Sequence, residues 1–377
     1  GNMGAGSSAM ATADQNGLSK EAQAALEGLP DSVKKELEAA AGKMMPASKP
    51  AAPAGEATAA AATAAEPEAD DDEDEEPKAP YENADAGLST YPEDDIKLGT
   101  DKIDLSGNKL TTLSDKLLEL TGLTDLQLFA NQLKELPAGL DALAKLRTLN
   151  CFNNKMKKLP PALGKLTKLN ELNVAANQLM MLTDDHFTSL GKVTILTLND
   201  NRLVRLGSLA PLAKLQELRL FANNLEEMPK LPSPCPLTIM ELHKNRITTI
   251  PDDYFESTPK LQRLSIFGNQ LEKIPDSLCT ACAGLVGLQA QENKLSALPA
   301  VAWPAGMEAI FIEGNTITSL PESLKALASL KRLNLGQLKL DDASVALADT
   351  LKAAIMTQPG GIYWSPSGEK CDAPAAK

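Results

Sequence analysis

The apolar positions of this chain recur at a fixed spacing over most of its length. From about residue 99 to residue 340 leucines fall in the order L-P-x-x-L-x-x-L-x-x-L-x-x-L-x-L-x-x-N-x-L, seen clearly from Leu136 to Met156. An asparagine marks each copy: Asn108, Asn131, Asn154, Asn177, Asn201, Asn223, Asn245, Asn269, Asn293 and Asn315. Neighbouring copies are therefore 22 to 24 residues apart. An eleventh copy, Leu333 to Leu340, carries Leu338 where the asparagine belongs, as expected of a terminal repeat. The L-x-L pair predicts a short strand with its leucines facing inward and its intervening residue facing solvent. The L-x-x-L-x-x-L stretch predicts a helical or 3₁₀ return on the opposite side. Asparagine suits the corner between them, because its amide can serve backbone groups that an apolar side chain would leave bare. Stacked copies predict an α/β solenoid with a parallel sheet on its concave face.

Flanking segments follow other patterns. Residues 1–17 are rich in Gly, Ala and Ser and predict disorder, whereas 18–42 show two apolar stripes at helical spacing, divided by Pro30-Asp31-Ser32. Residues 43–98, rich in Ala and Pro and then acidic, predict a linker, with order resuming somewhere between Tyr81 and Leu98. The segment 341–377 opens with an amphipathic stretch, Asp341 to Ile355, that predicts a helix capped by Asp341 or Asp342 and closing the solenoid. Tyr363 and Trp364 are expected to pack on the last repeat with it.

The registered copies resemble the leucine-rich-repeat superfamily over roughly residues 99–340, which implies a horseshoe of about eleven repeats. Leu-Pro at the start of the return, as in Leu136-Pro137, Leu159-Pro160 and Leu320-Pro321, resembles the intracellular Ras group of that superfamily. Plant members place Gly-Val-Tyr-Trp just after the repeats, and Gly361-Ile362-Tyr363-Trp364 is similar to it. The Ras-group resemblance implies a signalling partner.

Composition narrows the function. Aromatics are 3% of the chain, yet four of its seven phenylalanines fall two residues before a repeat asparagine. That register reads Ser106, Phe129, Phe152, Ala175, Asn199, Phe221, His243, Phe267, Gln291, Glu313 and Gly336. It faces solvent on the concave side, where its rings either stack across strands or receive a partner. Around Phe221, His243 and Phe267 stand Glu217, Arg219, Glu241, Lys244 and Arg263, a mixed-charge rim suited to a protein or peptide. His243 at such an interface would make binding sensitive to pH. Phe129 and Phe152 form a second candidate patch. The predicted function is a scaffold or regulatory adaptor that holds a protein partner on the concave face.

Other chemistry is weakly supported. Nine of the thirteen net negative charges lie in residues 66–76, and no basic block accompanies them, which disfavours nucleic acid. That run also resembles acidic nuclear phosphoproteins that bind histones, so a basic-protein chaperone is an alternative. Met3 to Ser8 fits an N-myristoylation pattern if Met3 is the natural start, with Gly4 as the acyl site of a lipid-anchored adaptor. Cys279 and Cys282 form a lone C-x-x-C with no second pair for zinc, and Cys151 takes a leucine position; all read as packing. Neither His186 nor His243 has a catalytic partner in sequence reach, so no enzyme, metal or cofactor is expected. Five cysteines without paired caps and no leading apolar segment predict a reduced, cytoplasmic monomer, with nuclear or membrane-associated placement left open.

Overall fold

In the computed structural model the described residues are 81–373. Every repeat contributes one three-residue strand at its L-x-L pair. The strands are β1 (Tyr81–Glu82), β2 (Lys102–Asp104), β3 (Asp125–Gln127), β4 (Thr148–Asn150), β5 (Glu171–Asn173), β6 (Met181–Leu182), β7 (Ile195–Thr197) and β8 (Arg205–Leu206). They continue as β9 (Glu217–Arg219), β10 (Ile239–Glu241), β11 (Arg263–Ser265), β12 (Gly287–Gln289), β13 (Ala309–Phe311), β14 (Arg332–Asn334), β15 (Ile362–Trp364) and β16 (Lys370–Asp372). Fourteen of them form one sheet in chain order, β6 and β8 pairing apart as a small second sheet. Pairing is parallel throughout the large sheet except at its end, where β16 runs antiparallel to β15. Registers match residue for residue, Leu218 opposite Met240 and Met240 opposite Leu264, so equivalent side chains form columns across the sheet.

The return segments are mostly 3₁₀ turns, such as Pro161–Lys165 and Glu322–Ala326, with one short helix, α1 (Ser277–Ala281). The inward leucines of strands and returns form one continuous core, most of it under 5% exposed. Cys151, Cys279 and Cys282 lie in that core, and the Cys282 thiol meets the Thr258 carbonyl at 3.4 Å.

The described residues are ordered from Tyr81 onward, the early end of the expected range. β1 pairs with β2, and Tyr81, Leu88, Tyr91 and Ile96 pack on the core, so residues 81–98 belong to the solenoid rather than to the linker. The expected disorder of 1–17, the two helices of 18–42, the acidic run and Gly4 lie outside the described residues.

At the other end α2 (Asp342–Met356) covers the last repeat with Leu347, Ala348, Leu351 and Ile355 buried. Asp341 is its cap, accepting from the Ser344 amide at 2.8 Å, and the Ser344 hydroxyl in turn accepts from the Leu320 amide. Tyr363 packs inward at 2% exposure, as expected. Trp364 does not follow it. Adjacent strand residues face opposite sides, so Trp364 turns to the sheet's open face, where its ring lies 6.0 Å from that of Phe311.

Candidate functional site: the concave face

Two columns two residues apart run along the corner beside the open face, one turned inward and one outward. The asparagine column is structural. Asn154 is 7% exposed. Its Nδ2 donates to the carbonyls of Leu128 and Cys151, and its Oδ1 accepts from the Leu133 amide at 2.9 Å. Asn131, Asn177, Asn201, Asn223, Asn245, Asn269, Asn293 and Asn315 repeat that pattern. Each asparagine thus ties its own repeat to the preceding one. The residue just before each asparagine, and Gln337 before Leu338 in the last copy, take a left-handed conformation, although eight of these eleven are not glycine. The turn that aims the asparagine inward holds those residues there at some cost in strain.

The column two residues earlier carries the rings. Phe221 and His243 stack with centroids 4.4 Å apart and planes 8° off parallel, and His243 and Phe267 stack at 4.3 Å and 10°. The rings pack on one another, as one reading of the sequence expects, and remain half-exposed. Faces spent on each other leave mainly ring edges for a partner. Phe129 and Phe152 occupy adjacent rungs of the same column, half-buried, outside the stack.

His243 is fixed from below. The Ser265 hydroxyl lies 3.1 Å from His243 Nδ1 and donates its own proton to Gln289 Oε1 at 2.9 Å. With that proton directed at Gln289, Ser265 accepts, an arrangement that suits an imidazole carrying its proton on Nδ1. Burial between two phenyl rings, and then the Lys244 charge, push the imidazole down to about 3. A pH-sensitive His243 near neutrality is therefore not what the structure provides, because a ring enclosed in this way stays uncharged there.

Much of the expected rim charge is spent internally. Arg219 bonds Glu217 at 2.6 Å and reaches Glu241 at 3.3 Å, a half-buried triad beneath the ring stack. Lys244 lies 5.9 Å from the Phe267 centroid, within cation–π range, and Arg263 is exposed at the strand start.

Sequence reasoning passed over the downstream end of this face. Phe311 and Trp364 share the register of Arg219 and Glu241, and Lys370 sits 5.8 Å from the Trp364 ring. Reading Ile362-Tyr363-Trp364 as one more x-L-x strand would have placed Trp364 there. Burial pushes Glu313 up to about 7, and its Oε2 meets no hydrogen-bond donor.

Comparison with known proteins agrees with the geometry. The family models described as "Leucine rich repeat" and "Leucine Rich repeats (2 copies)" match residues 167–225 and 235–295, and 144–185, respectively. Osteomodulin of Bos taurus is 31% identical over 149 residues, 38% of this chain and 34% of that protein. Lumican of Bos taurus is 28% identical over 174 residues, covering 43% of this chain and 50% of that one. The chain thus spans a third to a half of the length of these relatives. A structure of the Drosophila Toll–Spatzle complex superposes with a TM-score of 0.60 at 21% identity, over 74% of this chain and 39% of that one.

These comparisons correct the expected location. Osteomodulin and lumican are secreted proteoglycans of the extracellular matrix and are not enzymes, so the matches point outside the cell and overturn the cytoplasmic expectation. Cysteines buried in a repeat core are shielded in any compartment, and the point where a sequence begins says nothing about a leader. The finer likeness to the Ras group is not reached by the matches. With ten asparagine-marked copies, a parallel sheet and these family models in agreement, the chain has the leucine-rich-repeat solenoid fold.

Proposed function

We propose that the chain is a protein-binding scaffold that holds its partner on the concave face, centred on Phe221, His243 and Phe267. The ring stack carries this reading. It is a half-exposed aromatic surface in a chain where aromatics are only 3%, laid on a rigid sheet and bordered by Lys244 and Arg263. Leucine-rich-repeat proteins generally mediate protein–protein contacts, which supports it. Phe129 and Phe152 are a second contact patch on the same column. A regulatory role for the captured partner is part of the proposal. The alternatives, histone or basic-protein binding through residues 66–76 and lipid anchoring at Gly4, depend on segments outside the described residues.

The test is capture from matrix extract and conditioned medium, read by mass spectrometry. It compares the intact chain with the Phe221→Ser/Phe267→Ser variant and with a deletion of residues 1–80. A partner lost by the ring variant and kept by the deletion supports the concave reading. A partner kept by the ring variant and lost by the deletion overturns it. Circular dichroism checks that each variant is folded.

A further inference from the structure

The ring column does not end at Phe267. Its next two rungs are Gln291 and Glu313, both half-buried on the open face. Each ends in an acceptor without a donor: Gln291 Oε1 and Glu313 Oε2 are shielded from water and make no hydrogen bond. Five side-chain atoms among the described residues share that state, and two of them fall on neighbouring rungs of one column. Gln289 pairs with Phe311 across β12 and β13, so the two rungs lie about 5 Å apart. An acceptor withdrawn from water without a donor is unfavourable, so two such acceptors side by side favour an occupant that brings donors.

The local charge says which donors. Burial raises Glu313 to about 7, against a bond from its own backbone amide that lowers it and with a smaller rise from the nearby Glu292 carboxylate. Neighbouring cations are engaged elsewhere. Lys294 donates to Gln270, Lys331 bonds Glu308, and Lys370 bonds Asp372 at 3.0 Å. Phe311 ends β13 two residues before Glu313, its ring tilted against Trp364 on the sheet's open face. The surroundings are thus two carboxyl groups, one amide oxygen and an aromatic wall.

We propose that Gln291 and Glu313 together receive one basic side chain, arginine or lysine, of a protein partner lying on the concave face. This rests on the concave reading above and names the chemistry of one partner residue. A guanidinium presents five N–H donors in a rigid fork, enough to serve both oxygens across one rung spacing, and its plane can lie against Phe311. An apolar side chain would leave both oxygens bare, and an acidic one would add a third negative group. The two side chains part to admit the head group from the open face, and its positive charge holds Glu313 in the ionised form. The competing occupant is a water molecule bridging the same two oxygens.

The experiment uses the full chain, isotope-labelled, at about pH 8, where Glu313 is ionised. Two probes are titrated while the Gln291 side-chain amide and the Trp364 indole are followed by NMR: N-acetyl-arginine N-methylamide and its neutral citrulline counterpart. The arginine probe is expected to shift both signals saturably. The citrulline probe should bind roughly five-fold or more weakly, as should the arginine probe on Glu313→Gln, since a charge-assisted bond is lost. Equal response to both probes, a response that survives Glu313→Gln, or no response at either signal overturns the proposal; the last result leaves water as the occupant. If the ring variant loses its partner while the arginine probe finds no site, this inference falls and the concave reading stands. Glu313→Gln is nearly isosteric, and circular dichroism confirms its fold.

Discussion

The asparagine column and the ring column lie two residues apart on the same corner of every repeat, yet they obey different rules. The first is nearly uniform: ten asparagines, each 5–8% exposed, each bonded to two repeats. The second changes at almost every rung, from Ser106 through the rings to Gly336. The difference lies in where the side chains point. An asparagine amide is committed to backbone groups that have no other partner, so its chemistry is dictated by the fold. The column beside it touches only its neighbours and whatever docks, so it is free to encode a partner.

Breaking the first column should have the largest effect. Asn154→Ala removes the partner of the Leu133 amide and of the Leu128 carbonyl, both within the core, and should cost about 3–5 kcal/mol, read from urea unfolding. A loss below about 1 kcal/mol would mean that water replaces the amide and that the column is less structural than it looks.

The second largest effect concerns His243 in acid. Its folded value, about 3, lies below the unfolded value near 6.5, so the unfolded chain takes up the proton first. The stability it contributes is fully present above 6.5 and is lost as pH falls toward 3. The loss should be on the order of 3 kcal/mol by about pH 4. His243→Phe, which keeps a ring in the stack, should flatten that part of the curve.

A smaller stability effect, with a large effect on binding, is expected of Phe221→Ser/Phe267→Ser. Each lost ring contact should cost about 0.5–1.5 kcal/mol, leaving the chain folded, while partner capture should fall by about ten-fold or more. Unfolding of this variant would place the stack on the structural side of the comparison.

The smallest effect is expected of Glu313. Its folded value is raised above the unfolded one, so its contribution is fully present below about 4.5 and is lost as pH rises through about 7. Glu313→Gln should remove that decline, seen as a melting temperature that varies less between these two pH values. Ring column and acceptor pair should titrate in opposite directions.

The sequence made the repeat, its period and the composition of both columns legible, because each rests on side-chain type at a fixed spacing. It also placed Phe221, His243 and Phe267 on successive rungs, where they meet. Three features escaped it. The left-handed residue before each asparagine, as at Ala222 and Lys244, is imposed by the turn and leaves no glycine signal. Arg219 sits between Glu217 and Glu241, so a rim that looks charged in sequence is largely neutralised, a result of strand register rather than of residue type. Trp364 faces the open side because Ile362–Trp364 extends the sheet, whereas a short motif after the last repeat suggested only a cap.

The asparagine ladder also has a direction. Asn131 serves Leu105 and Leu110 before it, Asn154 serves Leu128 and Leu133, and so on toward the C-terminal end. A repeat removed from the C-terminal side strips its neighbour of an amide partner, whereas one removed from the N-terminal side leaves only an idle asparagine. The solenoid is therefore mechanically asymmetric. Pulled from its C-terminal end, it should peel one repeat at a time, each departure exposing the next.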